Sequence, residues 1–96
     1  MITVKVRTIL TIAKILGRGE VEFSVPEGST LKELIAALVN RWGEDLASSL
    51  LEAKTQNVLP YIRLMVNGRD IAFLNKMETV LQNGDEILIL PPVSGG

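Results

Sequence analysis

The sequence contains no cysteine and no histidine among its 96 residues, and only 4% of them are aromatic. The chain can therefore form no disulfide, and it cannot bind zinc through thiolates or imidazoles. It also lacks a thiol nucleophile and an imidazole base, which are common groups in enzyme active sites. Carboxylates and lysines remain, but we expect no metal site and no catalytic residue in this chain.

An excess of charge of one sign and long apolar runs are also missing. The formal net charge is −1, with both signs spread along the chain, whereas a nucleic-acid or anionic-membrane partner would require a basic surface. No apolar run approaches the ~20 residues of a membrane-spanning helix, and the start does not resemble a signal peptide. Apolar residues make up 47% of the chain, enough for the core of one domain. We expect a soluble, cytoplasmic protein.

The first half of the chain predicts two strands and one long helix. Residues 2–7 and 20–25 alternate apolar and polar side chains, which is typical of half-buried strands. Residues 8–17 would continue the first strand and end in a turn or a single helical turn, because β-branched residues weaken the helical pattern there. Thr30 and Glu33 have capping-box spacing at the start of a helix. The apolar stripe of this helix comprises Leu31, Leu34, Ile35, Leu38, Val39 and Trp42.

The second half predicts a shorter helix and then three more strands. Residues 44–53 carry leucines at helical spacing, and residues 61–66 alternate as a strand. Asn67-Gly68 is the signal of a type I′ hairpin turn. A short return strand is expected from Arg69.

The last strand is predicted at the centre of the sheet, because residues 86–90 are almost wholly apolar. In the connection before it, Val80 and Leu81 are expected to pack beneath the sheet. A single long helix must cross the sheet to bury its stripe, and the first and last strands are natural parallel neighbours. We predict an α+β fold of the ubiquitin-like β-grasp type, with a mixed sheet of about five strands on one main helix. The domain would span residues 1–90, followed by a flexible tail at residues 91–96.

The tail reads Pro91-Pro92-Val93-Ser94-Gly95-Gly96. Its prolines end regular structure and favour an extended backbone, so the tail would reach roughly 18–20 Å beyond the last strand. Gly95 and Gly96 have no Cβ, so a narrow channel in a partner can close around them and receive the terminal carboxylate. The alternative is a frayed end without function.

Four segments occur in an order that resembles the MoaD/ThiS superfamily of ubiquitin-like sulfur carriers, and in particular the small subunits of molybdopterin synthase. They are Val4-Lys5-Val6-Arg7, Pro26-Glu27-Gly28-Ser29-Thr30-Leu31, Val66-Asn67-Gly68 and the run from Asn83-Gly84-Asp85 to Gly95-Gly96. The last run is the most specific, because it combines a Gly-Asp turn, an apolar strand and the Pro-Pro-Val-Ser-Gly-Gly end. The segment at 42–59 is longer than in the thiamine carriers, which favours the molybdopterin branch.

The resemblance implies that Gly96 is the reacting residue. An E1-like adenylating enzyme (MoeB-type) would use ATP to join the Gly96 carboxylate to AMP, and sulfur transfer would then give a terminal thiocarboxylate. The chain itself would bind no cofactor. It would form a hetero-oligomer with the large subunit of molybdopterin synthase (MoaE-type), where the sulfur passes to the pterin precursor. The residues that would enter the large subunit are Pro91, Pro92, Val93, Ser94 and Gly95.

A docking surface for the large subunit is predicted on the sheet, formed by Arg63, Met65, Arg69, Ile87 and Ile89. The alternative is that the three apolar residues belong to the core and that the two arginines only face water.

Two other functions remain open. A ubiquitin-like protein modifier, or a carrier for thiamine synthesis or tRNA thiolation, would use the same Gly-Gly tail. A β-grasp interaction module with an inert tail would not use it.

Overall fold

The structure, a computed structural model, describes residues 1–92. The strands in this part of the chain are β1 (Ile2–Thr8), β2 (Glu20–Val25), β3 (Arg63–Val66), β4 (Arg69–Asp70) and β5 (Glu86–Leu90). The α-helices are α1 (Leu10–Leu16), α2 (Leu31–Trp42) and α3 (Glu44–Leu50), and two 3₁₀ turns cover Ile71–Phe73 and Lys76–Glu78. None of the helices in residues 1–92 has the length and apolar character needed to cross a membrane.

The strands form one mixed sheet in the order β2-β1-β5-β3-β4. Strand β1 is antiparallel to β2 but parallel to β5, and β5 is antiparallel to β3. The first and last strands are therefore parallel neighbours at the centre of the sheet, as predicted. With α2 packed on one face, this arrangement is the β-grasp fold, so the predicted fold class is confirmed.

The core lies between the inner face of the sheet and α2. Alternate residues of the central strands point into it, and Val6 and Ile87, which lie side by side on β1 and β5, are both 0% exposed. Helix α2 contributes its buried apolar stripe, and the short helices α1 and α3 add buried leucines and isoleucines at the periphery. Full burial of each such side chain is worth about 1.5–3 kcal/mol relative to exposure.

Helix α2 begins and ends where its sequence predicts. The Thr30 hydroxyl accepts the Glu33 N–H at 3.3 Å, and the Glu33 carboxylate accepts the Thr30 N–H at 2.9 Å, so both halves of the capping box are present. Gly43, with a φ of 81°, ends the helix in a conformation that disfavours other residues. Of the predicted stripe, Leu31, Leu34, Ile35 and Leu38 are buried, while Val39 and Trp42 are half-buried.

Two local predictions are wrong. Residues 8–17 contain the seven-residue helix α1 rather than a single turn, because burial of Ile12 and Leu16 outweighs the weak helical propensity of this segment. Val80 does not pack beneath the sheet but is 52% exposed, and only Leu81 is buried. Val80 forms an isolated bridge with Thr30, and neighbouring residues in extended backbone point in opposite directions.

A polar cluster joins the β3–β4 hairpin to the turn before β5. Buried Asp85 accepts the Asn67 Nδ2–H and the Gln82 N–H, each at 2.8 Å. The Asn67 Oδ1 in turn accepts the Glu86 N–H at 2.9 Å. Asn67 and Gly68 have φ values of 51° and 83°, as a type I′ turn requires. The cluster therefore fixes the hairpin against the start of the last strand.

Replacement of Asp85 by Ala should lower the free energy of unfolding by about 2 kcal/mol, because two donors lose their acceptor in a partly buried site. Urea unfolding followed by circular dichroism measures this loss. Glu22→Ala is the matched control, because Glu22 is exposed on β2 and makes no side-chain hydrogen bond or ion pair within residues 1–92. Its effect should stay within about 0.5 kcal/mol. Equal losses in the two variants would contradict the role of the cluster.

Candidate functional site at the end of the central strand

The tail leaves the domain from the end of β5, between β1 and β3. Thr8 at the end of β1 lies beside Ile89, and Arg63 at the start of β3 lies beside Leu90. The buried Thr8 hydroxyl donates a hydrogen bond to the Ile89 carbonyl at 2.7 Å. The backbone up to Leu90 is therefore held from both sides.

Sheet pairing ends at Pro91 because proline has no N–H to donate. Pro91 is still buried against the domain, whereas Pro92 is exposed. The chain therefore emerges from the domain at Pro92, one residue later than the predicted start of the tail. The other residues for which insertion into a partner was predicted, Val93, Ser94 and Gly95, lie outside the described residues, as does Gly96, so their roles and the flexibility of the tail stay predictions.

The outer face of the sheet, opposite to α2, carries an apolar patch beside the tail exit. Met65 lies beside Leu88, and both are half-buried, as is Leu90. Arg63, which pairs with Leu90, places its Nε 3.5 Å from the Asp70 Oδ2. The structure thus brings two of the predicted docking residues, Arg63 and Met65, onto one surface. We call Met65, Leu88 and Leu90 the outer-face patch.

Ile87 and Ile89 do not belong to a surface, and the prediction that they dock a partner is wrong. They are 0% and 1% exposed and point into the core. Side chains alternate along a strand, so Leu88 and Leu90 share the outer face with Glu86. The polar residue Glu86 was the signal in the sequence that could have assigned the faces correctly.

Arg69 is also separated from the other docking residues. It lies directly opposite Val66 in the hairpin, and the Val66 side chain is buried on the inner face. Because directly paired residues point to the same face of a sheet, Arg69 lies on the inner face, opposite to Met65. Arg69 is exposed, and it forms no ion pair with the described part of the chain. It therefore does not extend the outer-face patch.

Large apolar side chains are exposed around the tail exit, and no sequence pattern pointed to them. Ile9, Leu10 and Tyr61 are 42%, 52% and 57% exposed, and we call them the exit patch. Ile9 follows Thr8 with an extended backbone, φ −139° and ψ 169°, so it continues alongside Leu90. Tyr61 lies two residues before Arg63.

A groove of roughly 1050 Å³ lies between α2, the loop before β3 and β3 itself. Ile35, Val39 and Leu59 contribute to its apolar lining, and Lys32 and Glu78 are among its charged residues. Within residues 1–92, no group of three or more aspartates and glutamates is placed to hold a metal ion. The groove therefore offers a mixed surface without a recognisable reactive cluster.

Comparison with known proteins gives a family match that extends over the tail. The model of the ThiS family matches residues 9–96. A putative sulfur carrier protein of Archaeoglobus fulgidus is 35% identical over 81 residues, which cover 84% of this chain and 89% of that protein. Small archaeal modifier protein 3 of Haloferax volcanii is 28% identical over 92 residues, covering 96% of this chain and 97% of that protein.

A solved structure has the same fold over the full length. The solution structure of small archaeal modifier protein 1 from Methanosarcina acetivorans superposes with a TM-score of 0.81 at 28% identity, covering 100% of this chain and 98% of that one. The fold, the Gly-Gly end of the sequence and the family match lead to the same conclusion. The chain belongs to the ThiS family, within the MoaD/ThiS superfamily of ubiquitin-like sulfur carriers.

Proposed function

We propose that this protein is a sulfur carrier that reacts at its Gly96 carboxylate, and that it serves as the small subunit of a molybdopterin synthase. The observation that carries the proposal is a central strand whose end is held by its neighbours and whose sequence continues, after four further residues, into Gly95-Gly96, in a chain whose family match runs through residue 96. The similarity to a putative sulfur carrier protein supports the carrier role. The molybdopterin branch rests on the resemblance, and within it on the segment at 42–59, which is longer than in the thiamine carriers.

The chemistry requires activation, because an ionised α-carboxylate is a poor electrophile. An oxygen of Gly96 attacks the α-phosphorus of ATP in the active site of an adenylating enzyme, and pyrophosphate leaves. A sulfur donor at the oxidation level of sulfide then attacks the acyl carbon, and the bond to AMP breaks. The product is a terminal thiocarboxylate, a good nucleophile. No side chain of this chain takes part, which is compatible with its lack of cysteine and histidine.

The proposed partners are an E1-like adenylating enzyme of the MoeB type and a MoaE-type large subunit. Pro91 and Pro92 stiffen the tail and lower the cost of ordering it on insertion. The outer-face patch and Arg63 would dock the large subunit, with an acidic group of the partner competing with Asp70 for the guanidinium. The half-buried Met65–Leu88 pair supports this surface, because part of its apolar area is left uncovered by residues 1–92.

Reconstitution tests the synthase role. Protein carrying the thiocarboxylate should convert the pterin precursor to molybdopterin when it is mixed with the large subunit. The same protein with an ordinary Gly96 carboxylate is the control and should give no product. A sulfur-loaded protein that binds the large subunit but yields no molybdopterin would contradict this role.

A protein modifier is the second candidate, favoured by the 28% identity to small archaeal modifier protein 3 over 96% of the chain. In that case the Gly96 carbonyl would form an isopeptide bond with lysines of target proteins. The last tryptic site of this chain is Lys76, so digestion would leave residues 77–96 as a branch on the modified lysine. Such branched peptides in cell lysate would favour conjugation.

A further inference from the structure

The side chains of the exit patch expose apolar surface that residues 1–92 do not cover. Ile9, Leu10 and Tyr61 are all more than two-fifths exposed, yet each lies within a few residues of the paired positions that flank the end of β5. The other large apolar side chains with high exposure in residues 1–92 are Met1, Phe73 and Val80. Met1 precedes the start of β1, and Val80 bridges Thr30 before α2, so neither is near the exit.

Leu10 also has an unfavourable backbone conformation. Its φ of 55° lies in the left-handed region, which disfavours a leucine. The backbone between β1 and α1 is held in this conformation by burial of Ile12 and Leu16 in α1 and by the hydrogen bond from the Thr8 N–H to the Gly19 carbonyl at 2.9 Å. The strain does not stabilise the domain, and about half of the Leu10 side chain stays exposed. Such outliers are common at functional sites, so a role outside the isolated domain is indicated.

The length of the tail limits how far away a partner can act. Four residues follow Pro92, and a fully extended chain of this length reaches at most about 14 Å. Ile9 continues alongside Leu90, and neighbouring strands lie about 4.8 Å apart, so the Leu10 Cα lies within roughly 9 Å of the Leu90 Cα. An enzyme that reacts with the Gly96 carboxylate must therefore bring its surface up to the exit.

We propose that the exit patch is covered by an apolar rim around the tail channel of the adenylating enzyme. Adenylation requires the Gly96 carboxylate and the α-phosphorus of ATP in one enclosed site. The whole tail must then lie inside the channel that leads to this site, and the exit lies against the mouth of the channel. This inference rests on the proposed carrier function. Because Leu10 is remote from the reacting atoms, it contributes to binding of the carrier and not to the chemical step.

Steady-state ATP–pyrophosphate exchange by the cognate E1-like enzyme, with this protein as the substrate, tests the proposal. Leu10→Asn removes the apolar side chain but keeps a residue that tolerates positive φ, so the thermal midpoint should not fall. The KM for the carrier should rise at least about tenfold, as expected for loss of a buried leucine, while kcat is unchanged. Leu10→Gly should give the same result. It serves as a second test in case asparagine changes the backbone between β1 and α1.

Val80→Asn is the matched control, because Val80 is 52% exposed, as Leu10 is, and bridges Thr30 before α2, away from the exit. Its KM should stay within about twofold of wild type. Leu10→Met keeps an apolar side chain at position 10, so its KM should stay in the same range near the wild-type value. If the asparagine and glycine variants at Leu10 both have the KM of Val80→Asn while wild type is activated, the exit patch proposal is overturned but the carrier function stands. If wild type supports no exchange, both fall.

Discussion

Deletion of Gly96 should abolish ATP-dependent activation, with a loss of at least about 100-fold, and should leave the thermal midpoint unchanged. The shortened chain still ends in Gly95, but its carboxylate stops about 3.1 Å short of the position that the full tail reaches. A displacement of about 1 Å from the productive geometry can already cost a factor of about 100 in rate. Pyrophosphate exchange and thermal unfolding measure the two effects on the same samples.

Two further variants make this test specific for position. Extension of the chain by one glycine moves the carboxylate too far and should cause a comparable loss. Glu22→Ala alters only an exposed position on β2 and should leave activation unchanged. Full activity of the shortened chain would show that the terminal position of Gly96 is not what the enzyme recognises.

Replacement of Ile87 by Ala should lower the free energy of unfolding by about 3–4 kcal/mol, within the range of about 2–5 kcal/mol for truncation of a buried isoleucine. Ile87 is 0% exposed and lies between Val6 on one side and Val66 on the other. The resulting cavity would lie at the centre of the sheet. Chemical denaturation measures the loss, which is a large fraction of the stability of a small domain.

Leu88→Ala is the matched control on the opposite face of the same strand. Leu88 is half-buried beside Met65, so its truncation should cost only about 1 kcal/mol. The same change should weaken binding of the large subunit, which the Ile87 variant, once folded, should not do. Equal destabilisation by the two substitutions would contradict the assignment of faces on β5.

Local signals allowed much of the fold to be predicted from the sequence. The capping box at Thr30 and Glu33 and the stripe that follows predict α2 from its own sequence. The apolar composition of β5 predicts a central position, and its parallel pairing with β1 agrees. These features depend on a few neighbouring residues, so the sequence alone carries them.

The sequence indicates the faces of β5 only weakly, and the exit patch depends on tertiary structure. Four of the five residues in β5 are apolar, so Glu86 alone indicates which face is outer, and the prediction that put Ile87 and Ile89 on the docking surface did not use it. The positive φ of Leu10 follows from the packing of α1 against the core, and no residue type near it signals such a turn. The proposed reactive end is different, because a Gly-Gly terminus is a chemical feature and can be recognised without a structure.

The most direct test of the carrier function is the mass of the C-terminal peptide after incubation with the adenylating enzyme, ATP and a sulfide-level sulfur donor. Wild-type protein should show one oxygen-to-sulfur exchange located on Gly96, and the protein lacking Gly96 should show none. If AMP is formed but the mass of the wild-type peptide does not change, or if the shortened protein gains sulfur as well, Gly96 is not the sulfur-carrying residue.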